Sequence, residues 1–131
     1  MPLTDIDQTD PEQMTDARLI SPPERAALTA WSRDLQQCGS QVIATMMRDG
    51  LSSYVPILLA SRDRQDQILV LLAQRKIPWG EAVLRLRASR TALLKDVTEK
   101  SDRRSAEFSR STETTRANVT ALLNALTRLV P

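Results

Sequence analysis

The 131-residue sequence predicts an all-α protein: a mostly antiparallel bundle of four helices after a disordered N-terminal arm. Three observations carry that expectation. The chain holds only three glycines and is rich in Ala, Leu, Arg and Gln, a composition that favours helix throughout. Its apolar residues recur in steps of three and four, the period of one helical face. Aromatic residues make up only 3%, so the core must be built from aliphatic side chains. The length fits one domain, read here as a flexible acidic arm over 1–20 and a single helical domain over 21–131.

The arm shows neither helical nor strand periodicity. It carries Asp5, Asp7, Asp10, Glu12 and Asp16 against Arg18, a net −4 that leaves +6 on the rest of a chain whose formal charge is +2. An acidic, proline-containing terminus of this kind reads as disordered.

Order is expected from Ser21-Pro22-Pro23-Glu24. A serine cap, proline at the first helical position and glutamate three residues after the cap form a capping box. The stripe Leu28, Trp31, Leu35, Cys38, Val42 and Met46 then predicts a helix over about 22–49, stopped by Gly50. A second helix, about 53–75, follows with Pro56 tolerated in its first turn. Its middle, residues 61–67, is wholly polar but contains no helix breaker. A continuous helix is therefore expected, with some of these side chains in a polar layer and Arg62 paired to Asp66 at i,i+4.

After the corner Lys76–Glu81 there is no glycine or proline until Pro131. Trp79, Val83, Leu86, Leu93 and Val97 form one stripe, with Arg90 at an otherwise apolar position. Val119, Leu122, Leu126 and Leu129 form another. Between them, residues 98–116 hold only Ala106 and Phe108 as apolar groups. Charge pairs such as Glu99/Arg103 favour helix there, whereas the Ser/Thr cluster at 109–115 competes for backbone hydrogen bonds. One helix over 79–130 would be about 78 Å long, too long for its partners to cover. A break near Phe108–Thr115 is accordingly expected, giving helices of about 79–106 and 113–130.

The chemistry excluded is informative. The chain has no histidine and one cysteine, which removes Ser-His-Asp and Cys-His catalysis and the usual zinc sites. Glycines at 39, 50 and 80 are too scattered for a phosphate-cradling loop. No enzyme activity and no cofactor is expected. Asp5, Asp7, Thr9 and Asp16 imitate calcium-loop spacing, but Asp10 stands where that loop needs glycine. Asp63 and Asp66 are flanked by Arg62 and Arg64, which points to ion pairing instead of acid–base work. Cys38, on an apolar stripe, reads as a small core residue. No apolar run is long enough to span a membrane. No signal peptide is visible, so the expected location is cytoplasmic, or periplasmic or secreted if an export signal has been removed.

The candidate interaction residues are Trp79, Arg85, Arg87, Arg90, Arg103 and Arg104. They belong to a stretch, 85–116, with nine cations and five acids, which could lie along a phosphate backbone. The acids interleave with the bases and only Phe108 could stack on a base, so a solvated, salt-bridged helix face is the simpler reading.

The run Leu72–Glu81, LAQRKIPWGE, resembles a segment of uncharacterised bacterial exported helical proteins. In those a Lys-Ile-Thr-(Trp/Tyr)-Gly-Glu motif joins two helices, and a cysteine lies in an earlier helix. Lys76, Ile77, Trp79, Gly80 and Glu81 match the motif, and Cys38 could match the cysteine. The resemblance implies an all-helical fold and export, and it brings no activity. Pro78 replaces the threonine that would have capped the second helix, so the helix start is expected to rely on proline's fixed φ. The expected function is a non-enzymatic helical structural or protein-interaction domain, acting on an unknown protein partner or by self-association. A nucleic-acid-binding helical protein using the Arg-rich segment is the alternative.

Overall fold

The computed structural model describes residues 8–129, with side chains described to residue 126. Among the described residues there are four α-helices and no strand: α1 (Pro11–Met14), α2 (Pro22–Arg48), α3 (Val55–Ala73) and α4 (Trp79–Leu129). A 3-10 turn, Ser52–Tyr54, leads into α3. The chain divides after Asp96 into two compact units, each described by itself below. Asp5 and Asp7 lie outside the described residues, as do Val130 and the side chain of Leu129 at the end of the second C-terminal stripe.

In the first unit, α2 starts as its sequence dictates. The Glu24 carboxylate accepts from the Ser21 backbone N–H at 2.8 Å and from the Ser21 hydroxyl at 2.6 Å. Gly50, at φ 75°, ends the helix, and the Leu51 N–H returns to the Met46 carbonyl at 2.8 Å. The short connection turns α3 back antiparallel to α2. Leu28 and Ala73 border one groove, and the Gly39 backbone meets the Arg62 side chain. α3 is continuous through its polar middle, and Ser61 is buried there among apolar neighbours. The Arg62–Asp66 pair does not form. Asp63 accepts instead from the Gln67 amide at 3.0 Å, and Arg64 approaches Asp96 of α4 at 3.8 Å.

α3 ends on a non-glycine residue in the left-handed region, Arg75 at φ 59°. The Arg75 and Lys76 N–H groups then bond the Leu72 and Leu71 carbonyls, each at 2.9 Å. The first turns of α4 pack against α3 with Ala88, Ser89 and Ala92 facing Ile68 and Leu71. The buried residue at this level is Ser89; Arg90, expected within the stripe, is exposed. A charged side chain cannot occupy the seam between two closely packed helices without a desolvation cost, and the neighbouring serine fills it.

The core is small and lies where the three helices and the arm meet. Ile20, Leu28, Ile68, Leu69, Leu72, Ile77, Trp79, Ala82, Val83 and Leu86 form it. Trp79, Ala82, Val83 and Leu72 are fully buried. Of the residues expected in a free arm, 8–20 are ordered. Thr9 and Ile20 are buried, and α1 is capped by Asp10, whose carboxylate accepts the Gln13 N–H at 2.9 Å.

In the second unit, 97–131, α4 passes through residues 107–115 without the expected break. The Ser/Thr hydroxyls do not compete with the helix; they bond back to carbonyls one turn earlier. Thr112 donates to Phe108 O, Thr114 to Arg110 O, Thr115 to Ser111 O and Thr120 to Arg116 O, all at 2.9–3.0 Å. The unbroken helix runs uncovered instead: every residue from 101 to 126 is exposed.

Trp79 contributes the largest fully buried side chain of the core. Trp79→Ala is expected to lower the unfolding free energy by about 3–5 kcal/mol. Urea denaturation followed by circular dichroism measures this directly. A change below about 1 kcal/mol would contradict the burial described here.

Candidate functional site

The corner Ile77–Glu81 is held in place by the arm. Backbone N–H groups in the first turn of a helix have no partner within the helix. At the start of α4 those of Trp79 and Gly80 donate to the carbonyls of Arg18 (3.0 Å) and Asp16 (2.8 Å). The arm's backbone therefore does the capping that a threonine at position 78 would have done with its side chain. Gly80 makes this possible. A Cβ there would strike the Met14 carbonyl oxygen and would lie 2.9 Å from the Asp16 nitrogen, both backbone atoms.

Side chains fix the strap in place. The Asp16 carboxylate accepts from the Arg18 backbone N–H at 2.9 Å and from its guanidinium at 2.7 Å. The Arg18 side-chain hydrogen bond is the main reason the Asp16 carboxyl is held below its ordinary range. Glu24 is also held low, first by the Ser21 hydroxyl, then by the Ser21 N–H, with a smaller contribution from the Trp79 indole. The indole Nε1 is buried and has no partner in full hydrogen-bond geometry.

The candidate interaction residues of the first unit, Trp79, Arg85, Arg87 and Arg90, do not form one site. Trp79 is fully buried, so it is a core residue and presents no docking surface. Arg85 pairs with Glu81 one turn earlier at 2.6 Å. Arg87, two positions on and so on another face, donates to the Met14 thioether at 3.0 Å and helps seat the arm. Arg90 is exposed. Arg103 and Arg104 belong to the second unit, where Arg103 bonds the Glu99 carbonyl at 3.3 Å. Arg85 thus serves local pairing and Arg87 arm docking, on different faces of the helix.

Two apolar surfaces take their place. In the second unit Phe108 (74% exposed), Val119, Leu122, Leu123 and Leu126 stand open to solvent on α4. In the first unit, the expected α2 stripe is only partly covered: Leu28 is buried, but Leu35, Cys38 and Val42 are exposed. Cys38 is therefore not a core residue. It lines a cleft of about 270 Å³ between α2, α3 and the start of α4. Helical period alone located the stripe. Its exposure could not be read from the sequence, because it depends on how far α2 stands from α3.

No helix among the described residues is long and apolar enough to cross a membrane. Comparison of the chain with protein-family models, curated proteins and solved structures finds no match.

The strap carries a pH dependence whose sign follows from these contacts. Asp16 and Glu24 have depressed folded-state pKa values relative to 3.8 and 4.5. The stability they contribute is fully present above those ordinary values and is lost as pH falls through the lower folded ones. The melting temperature is expected to hold from pH 7 to about pH 5 and to decline below it. Glu24→Gln should melt lower near neutrality and show a shallower acid limb, as read by thermal unfolding across pH.

Proposed function

We propose that the protein is a non-enzymatic helical interaction module that associates with a second copy of itself through the C-terminal part of α4. The observation that supports this is the exposed apolar stripe Val119, Leu122 and Leu126. Its steps of three and four are those of a coiled-coil seam. A single helix gains most of its stability by packing an apolar face, and this face has no cover among the described residues. The charged segment that precedes the stripe on α4 also suits a like partner. Glu99, Asp102, Glu107 and Glu113 interleave with Lys100, Arg103, Arg104, Arg110 and Arg116, so the surface carries both signs and is self-complementary. A phosphate-binding face would segregate its cations, which argues against the nucleic-acid alternative. The lack of histidine and of a glycine-rich phosphate loop agrees with the non-enzymatic part of the reading.

Sedimentation equilibrium of the full chain is expected to show a concentration-dependent oligomer. Leu122→Asp combined with Leu126→Asp should return it to monomer, because each leucine brings roughly 2 kcal/mol of burial to the seam. A wild-type chain that stays monomeric at high micromolar concentration contradicts the proposal. Binding to DNA or RNA that collapses with added salt would favour the alternative.

A further inference from the structure

The cleft in the first unit has the shape and the chemistry of a ligand site, and it is independent of the C-terminal stripe. Its walls are Trp31, Leu35, Val42, Leu58, Leu69 and Leu93. At about 270 Å³ it is nearly twice the size of the cavity in which an engineered protein takes up benzene, which by proportion leaves room for roughly ten carbons. Its polar lining groups are Ser32, Gln36, Ser61, Arg62, Gln65 and Asp66, and two of them matter most. The Ser61 hydroxyl lies in its floor, 2% exposed as a residue, with no hydrogen-bond partner. Arg62 stands at the mouth, half-buried.

The placement of Arg62 is the informative feature. Asp66 is one turn along the same helix, at the spacing that normally closes an ion pair. The guanidinium is instead laid across Gly39 of α2, with Nη1 3.1 Å from the position a Cβ would take. Glycine at 39, a poor residue for the middle of a helix, leaves the space that the arginine fills. Asp66 lines both this cleft and a neighbouring groove bordered by Leu28 and Ala73. A planar cation is thus held at the edge of an apolar cleft with its donors uncommitted. That combination recognises a molecule with an apolar body and a carboxylate head, which Arg can grip through two parallel hydrogen bonds.

We propose that this cleft binds a medium-chain alkyl carboxylate, its chain among the leucines of α2, α3 and α4 and its carboxylate on Arg62. Arg62 is the cleft's one cation among the lining residues and favours an anionic head, while Asp66 on the same lining, unpaired with it, leaves the guanidinium free to take that head. The chain carries its own reporter, because Cys38 is its only cysteine, is exposed and lines the cleft.

The test uses the full chain with decanoate, decanol and decyltrimethylammonium, each below its micelle-forming concentration. Calorimetry is expected to show saturable binding of one decanoate per chain and weaker binding of decanol. Bound decanoate should slow the reaction of Cys38 with a thiol reagent at least tenfold. Arg62→Gln should weaken decanoate binding about tenfold while leaving decanol binding unchanged, and Arg62→Lys should fall between. Three results would each overturn the proposal. One is no saturable decanoate binding, and another is binding that ignores head-group charge and Arg62→Gln. The third is Cys38 protection that rises with protein concentration alone, which would assign the cleft to a second copy.

Discussion

The approach of the arm's backbone to the first turn of α4 is the constraint on which the first unit depends. Two otherwise partnerless amides of α4 are satisfied by the Asp16 and Arg18 carbonyls, and burying such groups unpaired would cost about 1–3 kcal/mol each. The same approach covers Trp79, places Ile20 in the core and brings Met14 under Arg87. Among the described residues the buried core numbers ten, small for a three-helix arrangement, and part of it consists of what the strap closes over. The arm is thus a structural element of the fold, held by a glycine that leaves room for it.

Local signals in the sequence account for much of this. Ser21 with Glu24, and Gly50 after Arg48, mark the ends of α2 because capping chemistry is confined to a few neighbouring residues. The burial of Trp79 follows from its place at the head of a stripe. The arm's docking was not legible in the same way, since its decisive contacts run from backbone to backbone and leave no side-chain pattern. One signal was nevertheless present. Gly80 stands inside a helix of a chain with only three glycines, at a position where alanine would suit the helix better. Only a close neighbour explains it.

Other differences have equally specific causes. Residues 109–115 look helix-breaking by composition, yet Thr112, Thr114 and Thr115 turn their hydroxyls onto carbonyls four residues back and leave the ladder intact. Periodicity placed Arg90 in the seam, whereas the helix turns Ser89 inward because the packed surface of α3 admits only a small group. The cationic residues chosen as a candidate site were separated by the folding of the chain: Arg85 and Arg87 lie on different faces, and each has local work. The cleft beside Gly39 arises from helix spacing, which a single sequence does not encode in any local pattern.

The most direct test of the strap is the unfolding free energy of Gly80→Ala. The helix preference for alanine alone would stabilise the protein by about 1 kcal/mol. The account predicts the opposite sign, because the new Cβ meets the backbone of Met14 and Asp16, which cannot swing aside as a side chain can. A loss of about 2–4 kcal/mol is expected from the overpacking and the release of the two capping bonds. A variant as stable as the wild type, or more stable, would show that the arm does not lie across Gly80 and would remove the central element of the account.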